Sequence, residues 1–214
     1  MANRLEPPSK ADILQFRPFS GLPIQRIVVP TTPEQLAEAS ADLLRCRFVG
    51  FDTESKPCFK PGEISDGPHV VQLTTPERGY VFQLYRPGTL AVVKQLLEST
   101  TLIKVGFGLR SDRRYLQRKL AITLAAVLDL DVLFRAEGYR RELGVKAAVA
   151  VVLRQRFHKS KRISTSNWAR AELRTNQLLY AANDAYAALK LLLAMDVDLG
   201  NLPIEVMEPS VERS

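Results

Sequence analysis

The most constraining stretch of this chain is residues 47–53, where Phe48, Val49, Gly50 and Phe51 form an apolar, β-prone run that leads directly into Asp52, Thr53 and Glu54. Such a run reads as a strand, and its large apolar side chains place it inside a sheet. Acids at the end of a buried strand are costly unless they are paired or bind a metal. Side chains alternate along a strand, so Asp52 and Glu54 leave on one face and can act together. Their oxygens are hard ligands of the kind Mg²⁺ and Mn²⁺ prefer. Asp-x-Glu is common by chance, and taken alone it reads as two solvated acids at a strand end.

The flanking sequence supplies partners for this strand. Residues 25–29, with the β-branched run Ile27-Val28-Val29, predict a first strand. Thr32-Pro33-Glu34-Gln35 predicts a helix start, with Thr32 as cap, Pro33 in the first turn and Gln35 completing a capping box. Leu36, Ala39, Leu43 and Leu44 give that helix an apolar face. A loop containing Pro and Gly follows the acids through Pro68, and residues 70–74 and 80–84 form a plausible hairpin around 75–79. Residues 90–97 predict a helix, 102–105 a strand, and 111–120 a helix with Ser111 at its start. A short apolar stretch at 126–130 precedes a region that reads as helix to about Met195, interrupted by Gly138, Gly144 and the basic segment 158–162. There is no internal repeat. The expected fold is α/β, a central mixed β-sheet flanked by helices with a helical C-terminal half. Residues 1–24 are expected to form an N-terminal arm, 25–196 a single domain, and 197–214 a loosely docked tail.

Composition sets broad limits. With 214 residues, 46% hydrophobic and 25% charged, the chain can bury one sizeable core. A net charge of +7 suits a polyanionic partner, although many basic proteins bind no nucleic acid. No run approaches the ~18 apolar residues of a membrane span, and the N-terminus lacks a signal-peptide core, so no membrane is expected and the location expected is cytoplasmic. Cys46 and Cys58 form no Cys-x-x-Cys pair, which argues against a disulfide framework or a zinc site. His69 and His158 read as surface or loop residues.

Two further segments carry acids in useful places. Tyr180 and Asp184 are four apart in a helical pattern and share a face, although any Tyr-x-x-x-Asp taken blindly reads as a packed tyrosine beside an exposed acid. In Gly106-Phe107-Gly108-Leu109-Arg110-Ser111-Asp112 a strand runs into a helix. Asp112 there has an ordinary reading too, as an acid placed against the helix dipole.

Together the three segments resemble, in order and in local sequence, the motifs of the DEDDy family of 3′–5′ exonucleases, and within it the ribonuclease D group and the Werner syndrome exonuclease domain. Residues 50–54 match the first motif, 104–112 the second and 180–186 the third, with Ser166-Asn167-Trp168 as a further landmark. The sister group carries a histidine five residues before the last aspartate. Leu179 stands there in this chain and Tyr180 follows it, as in the tyrosine subclass. The resemblance implies a ribonuclease H-like fold and a metal-dependent hydrolase that removes nucleoside 5′-monophosphates from the 3′ end of RNA or DNA. It implies two divalent ions, Mg or Mn, with Asp52 bridging both, Glu54 and Asp184 holding the ion that carries the nucleophile, Asp112 holding the other, and Tyr180 orienting the attacking water. Four carboxylates in one pocket could not all stay ionised without such cations.

Substrate contacts are read from the residues themselves. Phe107 can stack on a terminal base, although a Phe following a strand is more often core. Lys56 and Lys60 after the first motif, and Lys159, Lys161 and Arg162 before the tryptophan, can follow phosphates, and Lys161 is the one singled out. The rival to an enzyme is a non-catalytic nucleic-acid-binding module that retains the fold. At this length the C-terminal helical domains of ribonuclease D proteins are not expected, and affinity is expected to come from the nuclease domain or from a partner.

Overall fold

A computed structural model of the chain describes residues 5–58 and 67–208; Lys60 and Pro209 lie outside them. The N-terminal segment contains a short helix α1 (Lys10–Gln15), the two-residue strand β1 (Arg17–Pro18), a 3-10 turn (Ile24–Arg26) and β2 (Ile27–Val28). Helix α2 (Pro33–Leu44) starts as expected, with the Thr32 hydroxyl accepting from the Gln35 amide at 3.3 Å. The Gln35 carboxamide instead accepts from the Thr31 amide at 2.9 Å, so the capping box is displaced by one residue.

Next come β3 (Phe48–Glu54), β4 (Val70–Thr74), β5 (Gly79–Gln83), α3 (Thr89–Glu98), β6 (Ile103–Gly106) and α4 (Arg110–Leu120). The C-terminal half holds β7 (Ala126–Asp129), α5 (Leu130–Glu137), α6 (Gly144–Leu153), β8 (Gln155–Arg156), α7 (Lys161–Ser164), the 20-residue α8 (Thr175–Ala194) and β9 (Glu205–Val206). Seven strands form one mixed sheet in the order β2-β5-β4-β3-β6-β7-β9. Strands β3, β6 and β7 run parallel, β3, β4 and β5 form an antiparallel meander, and β9 closes one edge antiparallel to β7.

Period-two alternation divides the core between the two faces of the sheet. Val49, Phe51, Val71, Leu73, Tyr80 and Phe82 pack against α2, α3 and α4. The alternate residues Val70 and Val81 pack with Trp168, Tyr180, Ala181 and Ala182 on the side covered by α8. Ile103, Val105, Ala126 and Leu128 continue that side against α5, α6 and the end of α8.

The fold class is the α/β architecture read from the sequence, with three corrections. The C-terminal half is not wholly helical: the apolar stretch at 126–129 is β7, parallel to β6 through Lys104 opposite Val127. The described part of the tail, residues 197–208, is docked through β9 and an ion pair from Arg113 to Glu205 at 2.7 Å. The described part of the arm, residues 5–24, is docked as well. Its β1 pairs with β8, Phe19 packs 5.1 Å from Phe157, and Asn183 accepts from the Leu22 amide at 2.6 Å. No helix among the described residues is long and apolar enough to cross a membrane.

Candidate active site and metal centre

Strand β3 pairs with β6 only as far as Gly50, opposite Val105, whereas its pairing with β4 continues to Glu54, opposite Val70. The last residues of β3 therefore run past the end of their parallel neighbour, which opens a crevice at the carboxyl ends of the strands, the place where α/β sheets bind ligands. Alternation turns Asp52 and Glu54 towards α8, and Glu54 is buried.

Small residues bring α8 down onto this strand. A Cβ on Gly50 would lie 2.0 Å from the Ala185 carbonyl oxygen and 2.4 Å from the Thr74 hydroxyl, so only glycine permits the approach. Ala181, Ala182 and Ala185 complete the close contact, and Asp184, beside Ala185, arrives over the β3 acids. Carboxylate oxygens of Asp52, Glu54 and Asp184 lie within 4.8 Å of one another. Tyr180 sits one turn earlier on the same face of α8.

Asp112 reaches the group from the other side of the sheet. Thr53 points opposite to its neighbours, and its hydroxyl donates to Asp112 Oδ1 at 2.5 Å. The turn leading to Asp112 is set by Asp129, whose carboxylate accepts from the Gly108 amide at 3.1 Å and the Leu109 amide at 2.9 Å. This also corrects the expected cap. Helix α4 begins at Arg110, Ser111 lies inside its first turn, and Asp129 binds the amides that precede it.

The electrostatics are those of acids crowded away from water. Burial, then the charges of Asp52 and Asp184, pushes Glu54 up to about 9. Burial, then the charge of Asp52, raises both Asp112 and Asp184 to about 7. Burial also raises Asp52. Among the described residues one cation answers this cluster: Lys159 Nζ lies 2.7 Å from Asp184 Oδ2 and 5.6 Å from the centre of the Tyr180 ring. Burial alone would lower Lys159, but the carboxylates of Asp184 and Asp52 outweigh it and hold the ammonium above its usual range. The Tyr180 hydroxyl is buried beside Asp184 without a well-formed hydrogen bond. An all-oxygen donor set with excess negative charge and an unsatisfied hydroxyl at its edge fits hard divalent cations.

The structure thus brings Asp52, Glu54, Asp184 and Tyr180 together and attaches Asp112 at the rim through Thr53. It does not bring Phe107 to the acids: the half-buried ring stacks on Phe134 at 6.4 Å and 11° and packs against the core. Lys161 is exposed in the first turn of α7, and Lys159, two residues earlier, occupies the position against the carboxylates. The sequence names Lys159 only among several cations that can follow phosphates, and it does not mark Asp129. Nothing in the spacing of the basic segment distinguishes Lys159 from Lys161, whereas Asp129 stood at the junction of an apolar run and a helix, a cap position. Trp168 is fully buried, donates to the Ser164 carbonyl at 3.1 Å and packs 6.0 Å from Tyr180, tying α7 to the site.

A mixed sheet whose central strands end in a group of acids able to hold a metal ion, crossed by one long alanine-rich helix, makes this an α/β protein with a candidate metal centre. The chain belongs to the 3′–5′ exonuclease family, whose members are hydrolases: the family model described as 3′–5′ exonuclease matches residues 27–199. A 3′–5′ exonuclease of Arabidopsis thaliana is 31% identical over 144 residues, covering 66% of this chain and 50% of that protein. The mouse bifunctional 3′–5′ exonuclease/ATP-dependent helicase WRN is 35% identical over 144 residues, covering 66% of this chain and 10% of that protein. The chain thus spans half the length of one of these relatives and a tenth of the other. Among solved structures, the exonuclease domain of Aedes aegypti Nibbler superposes with a TM-score of 0.69 at 24% identity, over 82% of this chain and 89% of that one. Trypanosoma brucei RNase D in complex with RNA U12 gives 0.68 at 21% identity, over 92% and 68% respectively, and shares the fold.

Proposed function

We propose that this chain removes nucleoside 5′-monophosphates one at a time from the 3′ end of a nucleic acid, using two divalent ions at Asp52, Glu54, Asp112 and Asp184. The observation that carries the reading is the convergence of Asp52, Glu54 and Asp184, from a strand end and a distant helix, within 4.8 Å. Bound divalent ions would supply an activated water and offset charge on the scissile phosphate. Asp52, Glu54 and Asp184 would hold one ion and Asp52 with Asp112 the other, and Thr53 keeps Asp112 turned to that task. Tyr180, whose hydroxyl is unsatisfied beside Asp184, positions the attacking water. Lys159, paired with Asp184 in the metal-free protein, would be free to hold a phosphate oxygen once a cation took its place on that carboxylate. Phe107 has only the face not covered by Phe134 to offer a base.

The test is digestion of a single-stranded oligonucleotide labelled at its 5′ end, as RNA and as DNA, with Mg²⁺ or Mn²⁺. The expected result is a ladder shortening from the 3′ end with release of 5′-mononucleotides, abolished by EDTA and by Asp184→Asn. Absence of metal-dependent shortening on both strands, or shortening from the 5′ end, overturns the reading.

A further inference from the structure

A second concavity, of about 420 Å³, opens beside the carboxylate crevice, where α7, the tryptophan loop and the start of α8 meet. Arg162, Arg170 and Arg174 line it, no acid does, and none of the three arginines forms an ion pair among the described residues. Three guanidinium groups around one hollow repel one another unless an anion lies between them, and guanidinium geometry matches phosphate in particular.

The frame that carries these arginines is rigid. Buried Gln177 donates to the Ser166 hydroxyl at 2.9 Å and to the Asn167 carbonyl, while buried Gln83, from β5, donates to the Arg170 carbonyl at 2.9 Å. Tyr85 and Arg86 both donate to the Ala171 carbonyl, so the loop is held from the hairpin as well as from α8. Trp168 plugs the same loop into the core. A charged loop anchored this thoroughly presents its cations at low entropic cost to a ligand.

The hollow is continuous with the active site. Ser160, Ile163 and Asn176 line both it and a neighbouring cavity of about 390 Å³ that reaches Tyr180 and Asp184. Along α8, Arg174 and Asp184 are separated by about 15 Å at the rise of an α-helix, the reach of a few nucleotides. We infer that Arg162, Arg170 and Arg174 form a subsite for an internal phosphate of the strand whose 3′ end lies at the carboxylates. This inference rests on the exonuclease reading for the direction of the strand and on the hollow itself for the phosphate. Its consequence is a length dependence: a strand too short to reach the hollow loses the contact, and a longer one gains it.

The experiment compares wild type with the variant carrying Arg162→Gln, Arg170→Gln and Arg174→Gln. Binding of 5′-fluorescein strands of about 12 nucleotides and about 3 nucleotides is followed by anisotropy in EDTA, so that binding is read apart from turnover. The variant is expected to bind the long strand about tenfold more weakly, with the slope of log affinity against log salt reduced by about 1 or more, and to bind the short strand as wild type does. Unchanged affinity for the long strand overturns the subsite, as does an equal loss on both strands, which reports a disturbed fold. The single variant Arg174→Gln, on an exposed side chain, guards against misfolding of the triple variant and is expected to show part of the same length-selective loss. Mononucleotide release by wild type with Mn²⁺ is measured in parallel. Release without a length-selective loss sinks the subsite and leaves the exonuclease reading standing, and length-selective loss without release does the reverse.

Discussion

On the face of the sheet covered by α2, α3 and α4, the central strands present Val49, Phe51, Val71, Leu73, Tyr80 and Phe82, whereas under α8 the same strands present Gly50, Asp52, Glu54, Gln72, Thr74 and Gln83. The first face is closed by large side chains, of which only Tyr80 carries a polar group, and its hydroxyl donates to Asp42 at 2.7 Å. The second is more polar and in places unsatisfied: both carboxamide atoms of Gln72 and the Thr74 hydroxyl are buried without a hydrogen bond among the described residues. Each such group costs about 1–3 kcal/mol. The difference teaches that one set of strands divides two duties by alternation, with packing on the side chains of one face and most of the acids of the site on those of the other.

The sharpest way to break that division is to substitute adjacent residues. Phe51→Ala empties a fully buried site and is expected to lower stability by about 3–5 kcal/mol in urea unfolding, while the folded fraction keeps its turnover. Asp52→Asn, one residue on, is expected to lower mononucleotide release by more than about 100-fold, beyond the effect of residues that merely orient metal ligands. It should leave the metal-free protein as stable as wild type or more so, because it removes charge from a site where burial already raises the acid. If Asp52→Asn unfolds the chain or Phe51→Ala abolishes turnover by its folded fraction, the two faces do not divide duties in this way.

The parity itself was legible in the sequence, because Asp52 and Glu54 flank Thr53 on a strand and alternation needs no tertiary information. The face shared by Tyr180 and Asp184 was equally legible, since an interval of four fixes it on any helix. What the sequence could not show was how the pieces meet. The run at 126–129 is too short and too apolar for periodicity to separate strand from helix, and only its pairing with β6 makes it β7. The docking of the arm and of β9 depends on partners such as Asn183 and Ala126, far away in the chain. Gly50 stands in the sequence as one member of an apolar run. In the fold it is the opening through which α8 reaches the acids.

A milder perturbation acts on the carboxylates of the site alone. The acids there are raised on folding, Asp112 and Asp184 to about 7 and Glu54 to about 9, from ordinary values of 3.8 for aspartate and 4.5 for glutamate. A raised carboxyl favours the folded state when protonated, so this contribution is full at low pH and is lost as pH rises through about 7 and then about 9. Metal binds the ionised acids and opposes the loss. Scanning calorimetry in EDTA is therefore expected to show the melting temperature falling between pH 5 and pH 9. The increment added by Mn²⁺ should grow over the same range, by on the order of 5 °C. A metal increment that is independent of pH would mean that the cation binds elsewhere.

The smallest expected effect separates two lysines that the sequence cannot rank. Lys161 is exposed and touches no acid of the site, so Lys161→Ala is expected to change stability and the KM for a single-stranded substrate by no more than about 0.5 kcal/mol, roughly twofold. Lys159 is bound to Asp184 and lies over the Tyr180 ring, so it competes with cations for the carboxylate in the free protein. Lys159→Ala should therefore lower the concentration of Mn²⁺ needed for half-maximal activation while raising the KM several-fold, because the phosphate loses the ammonium that the metal displaced. A structural lysine would not move these two constants in opposite directions. Should Lys161→Ala raise the KM as much as Lys159→Ala does, the substrate follows the exposed side of α7, and the contrast between the buried polar face and the outer surface has to be redrawn at that segment.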